Sequence, residues 1–188
     1  MLKKMIAISS LMILAPIASA NCISFDQSQT SINWKAYKTP AKVGVGGSFK
    51  EFTLSTSKEA KSIKDALKKA TFSIDTTSVF TKNTARDKKI ATFFFKTMAD
   101  GEVIKGKVVN VTDKKVTVAL TMNGKTVEAP LAYTFENNKF VANGVIDVLD
   151  FAMNDELKAI NKACYSLHEG KTWSDVNIEI TSNFKACK

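Results

Sequence analysis

Apolar and polar residues alternate with a period of two along several short segments of the chain, a pattern typical of strands that bury one face. In residues 116–122 every second residue is a valine, leucine or methionine, and the residues between them are threonine or alanine. Asn123-Gly124, a dipeptide favoured in tight hairpin turns, separates this segment from a second alternating run at 126–135. The two segments are therefore predicted to form a β-hairpin.

Six further segments have a strand-like composition and are bounded by turn residues, which brings the predicted number of strands to eight. The predicted strands are residues 30–37, 46–54, 70–77, 102–111, 116–122, 126–135, 139–151 and 176–186. Because no long helix connects them, we expect an antiparallel sheet that closes into a barrel and so hides its edges. The predicted fold class is all-β with short helices that cap or flank an eight-stranded antiparallel barrel. A barrel of this size is either filled by side chains or holds one small ligand.

Helical periodicity appears in three segments, at 57–69, 83–98 and 154–170. Thr56 and Glu59 have the spacing of a capping box for the first helix. The third has a stripe of apolar side chains with Asn154 available to cap its start and Gly170 to end it. The stripe consists of Leu157, Ile160, Cys164 and Leu167.

The second helical segment contains three consecutive phenylalanines behind a basic leading edge. If Thr81 or Asn83 caps this helix, Ile90, Phe93 and Phe94 fall on one face and are expected to cover one end of the barrel. Phe95 falls to the side.

The first twenty residues resemble a secretory signal peptide. Lys3 and Lys4 precede an apolar stretch that ends in a small-residue cleavage pattern, and cleavage is expected near Ala20. The alternative, a retained membrane anchor, is disfavoured because the apolar stretch is too short to span a bilayer comfortably. The expected domains are thus a cleaved signal peptide at 1–20 and one binding domain at 21–188, located in the periplasm or secreted.

The chain is basic, with a formal net charge of +9, and removal of Lys3 and Lys4 leaves +7. A positive surplus favours anionic partners and is consistent with transient contact with an anionic membrane surface. The alternative, which we favour, is that the charge serves only solubility. No nucleic-acid partner is expected, because the lysines are dispersed and not interleaved with stacking aromatic residues.

Three cysteines remain after signal cleavage, in a compartment where disulfides persist. Cys22 and Cys187 lie at the two chain ends, which a closed barrel brings together, so we predict a disulfide between them. Cys164, on the apolar helical stripe, is expected to be a buried thiol.

Nothing in the sequence has the spacing of a catalytic or metal-binding motif. His168 is the only histidine, and Ser166 is too close to it in sequence for a nucleophile and base to meet naturally. There is no G-x-S-x-G, C-x-x-C, histidine cluster or phosphate-binding loop. We therefore expect a protein that is not an enzyme and uses no metal or other cofactor.

The segment IDTTSVFTKNTARDKKIATFFF resembles the signature of YceI-like proteins, exported polyisoprenoid-binding proteins. GGSFKEFTL and VTVALTMNGKTVEAPLAY are similar to two further strands of that family. Three features depart from its pattern: Lys89 stands where a histidine is frequent, a third phenylalanine extends the pair, and the C-terminal helical segment is longer. The matching positions of the signature are Ile74, Asp75, Ser78, Thr81, Asn83, Arg86, Asp87, Ile90 and the phenylalanine run.

This resemblance implies a lipocalin-like barrel that encloses one long-chain amphiphile, a polyisoprenoid or a fatty-acid derivative, for transport, storage or sensing. The alternative is an exported interaction protein with a filled barrel that acts through its basic surface. The oligomeric state stays open, with a homodimer among the alternatives.

The candidate ligand-binding residues follow from these expectations. Ile90, Phe93 and Phe94 are expected to close over the ligand, and Arg86 and Lys89 to hold an anionic or amide headgroup. Arg86 has an alternative role, pairing with Asp87 or Asp75 to hold the turn. For the barrel wall, ordinary core packing is the competing role of each residue. The wall candidates are Trp34, Phe49, Phe52, Phe72, Val118, Leu120, Leu131, Tyr133 and Phe151.

Overall fold

A computed structural model describes residues 22–187, so the predicted signal peptide lies outside the described residues. These described residues form thirteen strands and a few short helices. The strands are β1 (Ile23–Ser24), β2 (Thr30–Lys38), β3 (Val43–Phe49), β4 (Phe52–Ser55), β5 (Glu59–Ala60), β6 (Thr71–Asp75), β7 (Val79–Phe80), β8 (Val103–Val111), β9 (Lys115–Met122), β10 (Lys125–Glu136), β11 (Lys139–Asp147), β12 (Asp175–Asn183) and β13 (Lys185–Ala186).

Ten of these strands form one strongly curled antiparallel sheet, a half-barrel, in the order β4-β6-β8-β9-β10-β11-β12-β2-β3-β7. The hairpin predicted at Asn123-Gly124 joins β9 to β10, and both turn residues have positive φ angles, 51° and 69°. The other three strands form a small sheet in the order β13-β1-β5. The alternation of the sequence thus gives a mostly β, antiparallel fold.

The prediction of eight strands is not confirmed, because the predicted strand at 46–54 divides into β3 and β4. At the break, the amides of Lys50 and Glu51 donate to the carbonyl and the hydroxyl of Ser78. Ser78 ends a 3₁₀ turn, Thr76–Ser78, and the carboxylate of its N-cap Asp75 accepts from the amide of Thr77 at 2.9 Å. The short β7 follows this turn and pairs with β3. A two-residue strand is too short to give a periodic signal.

Within residues 22–187, four α-helices and one π-helical turn accompany the sheets, besides short 3₁₀ turns. They are α1 (Ile63–Leu67), α2 (Thr84–Ile90), the π-helical turn (Ala91–Phe95), α3 (Asn154–Ala163) and α4 (Tyr165–His168).

The first and third helices differ from their predicted bounds. The capping box at Thr56 and Glu59 is wrong: Glu59 lies in β5, and the cap of α1 is Ser62, whose hydroxyl accepts from the amide of Asp65. The expected continuous helix at 154–170 is broken at Cys164, which has a φ of −122° and separates α3 from α4.

The start of the third helical segment also needs correction, whereas its expected end at Gly170 is confirmed. Met153 takes the N-cap position of α3 in place of Asn154, which is the first helical residue. At the other end, α4 stops at the left-handed Glu169, and Gly170 follows it with a φ of 73°. Glycine therefore stands one residue beyond the cap.

One end of the half-barrel is packed with side chains, and we call it the filled end. The small sheet and α1 cover it. Tyr133 and Phe140 stack with ring centroids 5.5 Å apart, and the Tyr133 hydroxyl donates to the carbonyl of Thr112 at 2.7 Å. The buried residues of the filled end are Ile23, Ala66, Val116, Val118, Leu131, Tyr133, Phe140, Ala142 and Phe184.

A disulfide joins Cys22 to Cys187 beside the filled end, with the two Cα atoms 5.4 Å apart. β1 pairs with β13, and the amide of Cys187 donates to the carbonyl of Cys22 at 3.1 Å. The chain ends therefore meet in the small sheet, while β12 pairs with β2 in the large one. Cys164 is a buried free thiol. Within residues 22–187, no helix has the length and hydropathy needed to cross a membrane.

Candidate ligand-binding cavity

A cavity of about 360 Å³ lies at the end of the half-barrel opposite the filled end, and we call this end the hollow end. The concave side of β2, β3 and β12 forms one wall, and the helical segments form the other. The lining residues are Trp34, Ala36, Tyr37, Lys38, Val45, Phe49, Asn83, Ala85, Arg86, Lys89, Ile90, Phe94, Phe95, Ile104, Met122, Ile146, Val148, Leu157, Ile160, Cys164, Leu167, His168, Thr172, Trp173, Val176 and Ile178.

The inner part of the cavity is apolar. Phe49, Phe95, Ile104 and Met122 are buried there and belong to one cluster of packed side chains. The Phe49 and Phe95 rings meet edge to face, with centroids 5.8 Å apart. A surface of this kind favours hydrocarbon over water.

The π-helical turn decides which phenylalanines reach the cavity. Because hydrogen bonds of a π-helix span five residues instead of four, side chains are rotated relative to an α-helix. Phe94 and Phe95 both line the cavity, with ring centroids 5.1 Å apart, whereas Phe93 is 41% exposed. The expected inward face of Phe93 and Phe94, with Phe95 to the side, is therefore wrong for two of the three residues.

Polar side chains mark the opening of the cavity. Lys38, Arg86, Lys89 and His168 are half-buried and line it, and no aspartate or glutamate is among the described residues that do so. The Lys38 ammonium donates to the carbonyl of Leu167 at 3.1 Å. The opening is therefore electropositive.

Arg86 holds the turn before α2, and within the described part of the chain no carboxylate pairs with its guanidinium. Its Nε donates to the Thr81 hydroxyl at 2.8 Å, and its Nη2 donates to the Thr81 carbonyl at 2.9 Å. Asp87 accepts from the amide of Thr81 at 2.8 Å, and Asn83 caps the helix. The remaining N–H groups of the guanidinium are available at the cavity, since five are present and two are used.

His168 lies in a short chain of hydrogen bonds at the opening. Its Nδ1 is 2.7 Å from the Thr172 hydroxyl, which donates to Oδ1 of Asn161 at 3.0 Å. Because the Thr172 hydroxyl donates its single proton to Asn161, it can only accept from His168. The Nδ1 atom of His168 is therefore protonated and donates to this hydroxyl. Burial lowers the pKa of His168 below 6.5, and the charges of Lys38 and Lys89 lower it further. A neutral imidazole is thereby favoured.

Trp34 presents a buried donor without a partner. The indole covers Gly47, where a Cβ would collide with the ring, and Nε1 has no hydrogen-bond partner among the described residues. A buried unpaired N–H is costly.

The structure brings six of the fourteen candidate residues together and leaves eight outside the cavity. Trp34, Phe49, Arg86, Lys89, Ile90 and Phe94 line it. Val118, Leu131 and Tyr133 belong to the filled end, where Phe72 and Leu120 also pack. Phe151 is buried in the core beside the cavity, Phe52 packs against that core, and Phe93 faces outward.

Sequence reasoning missed most of the wall contributed by α3, α4 and β12. Leu157, Ile160 and Leu167 belong to the apolar stripe that predicted a helix, but the stripe does not show what it covers. Val176 and Ile178 alternate on β12 in the same way. Trp173 also lines the cavity, and its Nε1 donates to the carbonyl of Thr39 at 2.8 Å.

Within residues 22–187, one group of side chains has ligand atoms close enough together for a metal ion: Cys22, Glu59 and Cys187, all within 4.8 Å. The two sulfur atoms are bonded to each other in the disulfide and are not thiolates. This group therefore does not form a metal site in the oxidised protein.

Comparison with known proteins identifies the family. The chain is similar in fold to a polyisoprenoid binding domain from Saccharophagus degradans implicated in plant cell wall breakdown, with a TM-score of 0.63, 16% identity, and coverage of 88% of this chain and 98% of that chain. BcnA of Burkholderia cenocepacia gives a TM-score of 0.58 at 17% identity, covering 84% and 97%. A YCEI protein of Campylobacter jejuni gives a TM-score of 0.50 at 21% identity, and the match covers 77% of this chain and 85% of that chain.

No protein in the curated set of sequences matches the chain significantly. The family model described as YceI-like domain matches residues 24–184, which span both the filled and the hollow end. The resemblance found in the sequence is thereby confirmed, and the chain belongs to the YceI-like family.

Proposed function

We propose that this chain is an exported lipid-binding protein that encloses the tail of one long-chain amphiphile, a polyisoprenoid or fatty-acid derivative, for transport, storage or sensing. The observation that carries the proposal is the cavity of about 360 Å³, apolar inside and electropositive at its opening. The similarity in fold to a polyisoprenoid binding domain supports the same class of ligand.

In this proposal the sheet works as an eight-stranded lipocalin-like barrel. β4 follows β3 after only Lys50 and Glu51, although the two strands stand near opposite edges of the order. The amide of Asp75, at the end of β6, donates to the carbonyl of Glu51 at 3.0 Å, and the amide of Lys50 donates to Ser78 at 3.1 Å. Two bent strands, β3 with β4 and β6 with β7, would then close the barrel.

The headgroup is assigned to the opening, where Arg86 and Lys89 line the cavity. The unused guanidinium N–H groups of Arg86 can donate to a carboxylate, phosphate or amide oxygen of the headgroup. Without a lining carboxylate, an anionic head meets no repulsive partner there. The expected ligand is therefore an amphiphile with an acceptor-rich head.

The volume sets how much of the tail is enclosed. At about 30 Å³ per water-sized atom, 360 Å³ accommodates about a dozen non-hydrogen atoms. Each buried methylene contributes about 0.8 kcal/mol, so a dozen exceed the several kcal/mol that association costs. The remainder of a longer tail would extend through the opening.

Two features support export. The sequence begins with a segment typical of signal peptides, and the Cys22–Cys187 disulfide is of the kind that persists in oxidising compartments. We include periplasmic or secreted location in the proposal for this reason.

We also propose that the protein binds its ligand without transforming it. The hydrogen-bond partner of His168 Nδ1 is a threonine hydroxyl, and within the described chain no carboxylate orients the ring. In the usual mechanism of hydrolysis by a serine–histidine pair, a carboxylate orients the histidine ring.

Extraction of the purified protein with organic solvent, followed by mass spectrometry, tests the proposal. A stoichiometric amphiphile in the extract supports the carrier. Repeatedly empty extracts together with a failed fluorescent-lipid titration would favour the alternative, an exported interaction protein that acts through its basic surface.

Two neighbouring positions on β11 give a matched pair of variants. Ile146 lines the cavity, while Val145 is 56% exposed on the other face of the sheet. Ile146→Trp should occupy the cavity and weaken lipid binding at least tenfold, and Val145→Trp should leave it unchanged. Equal affinities for the two variants would remove the cavity as the binding site.

A further inference from the structure

Two large apolar side chains of α4 stand exposed beside the cavity opening. Tyr165 is 66% exposed and Leu167 is 59% exposed, and Leu167 also lines the cavity. A single exposed apolar residue needs no explanation. Two such residues at the entrance of an apolar cavity indicate a surface that contacts another apolar phase.

Lysines surround the same entrance. The Lys42 and Lys171 ammonium groups lie 4.8 Å and 4.7 Å from the centre of the Trp173 ring, and Lys38 and Lys89 line the cavity itself. We define the rim as Lys38, Lys42, Lys89, Tyr165, Leu167, Lys171 and Trp173.

The rim remains positive after its carboxylates are counted. Asp175 lies 2.9 Å from Lys42 Nζ and neutralises it, and Glu169 is exposed on the turn after α4. Lys38 and Lys89 donate to the backbone carbonyls of Leu167 and Ala163, at 3.1 Å and 3.4 Å, and neither forms an ion pair with a carboxylate of the described residues. Four lysines therefore face two carboxylates.

We propose that the rim docks on an anionic lipid surface, with Tyr165 and Leu167 in the interface and the lysines against the headgroups. The exposed Tyr165 and Leu167, with the half-buried Trp173 and the lysines, have the composition of segments that lie in membrane interfaces. The lysine stems can cover apolar surface while their ammonium groups reach phosphate.

Docking in this orientation places the cavity opening against the bilayer. A tail can then pass between bilayer and cavity without crossing water, and this step rests on the proposed function. The docking itself does not require an occupied cavity. The two claims can therefore fail separately.

Co-sedimentation with vesicles tests the docking. The mature protein should bind phosphatidylglycerol vesicles, bind neutral phosphatidylcholine vesicles at least tenfold more weakly, and lose affinity at high salt because exposed charges are screened. Each lysine near an anionic surface changes affinity about fivefold, so Lys171→Glu should weaken binding by at least that factor. Tyr165→Glu should act in the same direction.

Matched controls separate docking from ligand binding. Val145→Glu places the same charge at an exposed position on the sheet and should leave vesicle binding unchanged. Ile146→Trp should lose the fluorescent lipid but keep vesicle binding. Lys171→Glu should lose vesicle binding but keep the fluorescent lipid, because Lys171 does not line the cavity.

Three results would overturn the proposal: no binding to phosphatidylglycerol vesicles, equal binding to neutral vesicles, or equal loss in Val145→Glu and Lys171→Glu. Sedimentation velocity adds a fourth. Self-association that Tyr165→Glu abolishes, without vesicle binding, would assign the rim to a second copy of this chain.

Discussion

The filled end and the hollow end are built from the same antiparallel strands, yet one is packed solid and the other contains a cavity. At the filled end, large side chains such as Tyr133 and Phe140 meet beneath the small sheet, and the disulfide ties the covering strands together. At the hollow end, the sheet contributes small residues such as Ala36 and Val45 as well as the ring of Phe49, and a cavity remains between the sheet and the helical segments. The covering elements thus separate stability from binding within one sheet.

Truncation of one ring at each end should give the largest contrast. Phe140 is 4% exposed and surrounded by packed side chains, so Phe140→Ala should lower the free energy of unfolding by about 3–5 kcal/mol. Phe94→Ala should cost clearly less, since Phe94 is half-buried and already borders empty space. Urea unfolding of both variants measures the difference. Equal losses would show that the two ends are equally packed.

Opening the disulfide should affect the filled end next most strongly. The bridge closes a loop with a sequence separation of 165 residues, and Cys22→Ser with Cys187→Ser should lower the unfolding free energy by about 2–5 kcal/mol. Lipid affinity of the folded variant should stay the same, because neither cysteine lines the cavity. Urea denaturation and fluorescent-lipid titration of this variant and of the unmodified protein measure the two quantities. A loss of lipid affinity in the folded variant would show that the filled end and the hollow end are coupled.

Adjacent phenylalanines provide a test confined to the hollow end. Phe94→Ser should weaken lipid uptake about tenfold, the effect of losing about 1.4 kcal/mol of apolar contact. Phe93→Ser serves as its control and should leave uptake unchanged, since Phe93 faces outward. If Phe93→Ser caused the greater loss, the rotation imposed by the π-helical turn would be refuted.

The pKa of His168 should report the charge of the bound head, with the smallest effect. In the folded, ligand-free protein the pKa of His168 lies below 6.5, the ordinary value that the unfolded chain keeps. At a pH between the folded and the unfolded pKa, the unfolded chain therefore binds more protons. The unfolding free energy should therefore rise as the pH increases through this window and decrease as the pH falls. His168→Gln should remove this dependence on pH.

Titration of the His168 ring by nuclear magnetic resonance gives the pKa directly. An anionic amphiphile should raise it, because a negative charge favours the imidazolium. No change on binding would place the headgroup elsewhere.

The sequence predicted the antiparallel β-class, the β9–β10 hairpin and the basic helix that leads to the phenylalanine run, because these features are local and periodic. It failed where a contact between distant segments decides the conformation. Ser78 draws the amides of Lys50 and Glu51 away from the ladder, and this divides one predicted strand in two. A π-helical turn has no sequence pattern that the alternation reveals, so the directions of Phe93 and Phe95 were mistaken.

Only part of the candidate site could be predicted from the sequence, for a related reason. Alternation identifies the inward face of a strand, but it does not tell whether another side chain fills the space opposite. Leu131 and Trp34 both face inward in the pattern, yet Leu131 is packed into the filled end and Trp34 borders the cavity. Only the positions of the covering helices and of the small sheet distinguish these two cases.

The dependence of affinity on tail length tests the central claim most directly. Calorimetric titration with straight-chain carboxylates of increasing length should show affinity rising about fourfold per methylene and levelling at about a dozen carbons, where the volume of about 360 Å³ is full. The same series should show no such rise in Ile146→Trp. An affinity independent of tail length in the unmodified protein would contradict an apolar tail inside the hollow end.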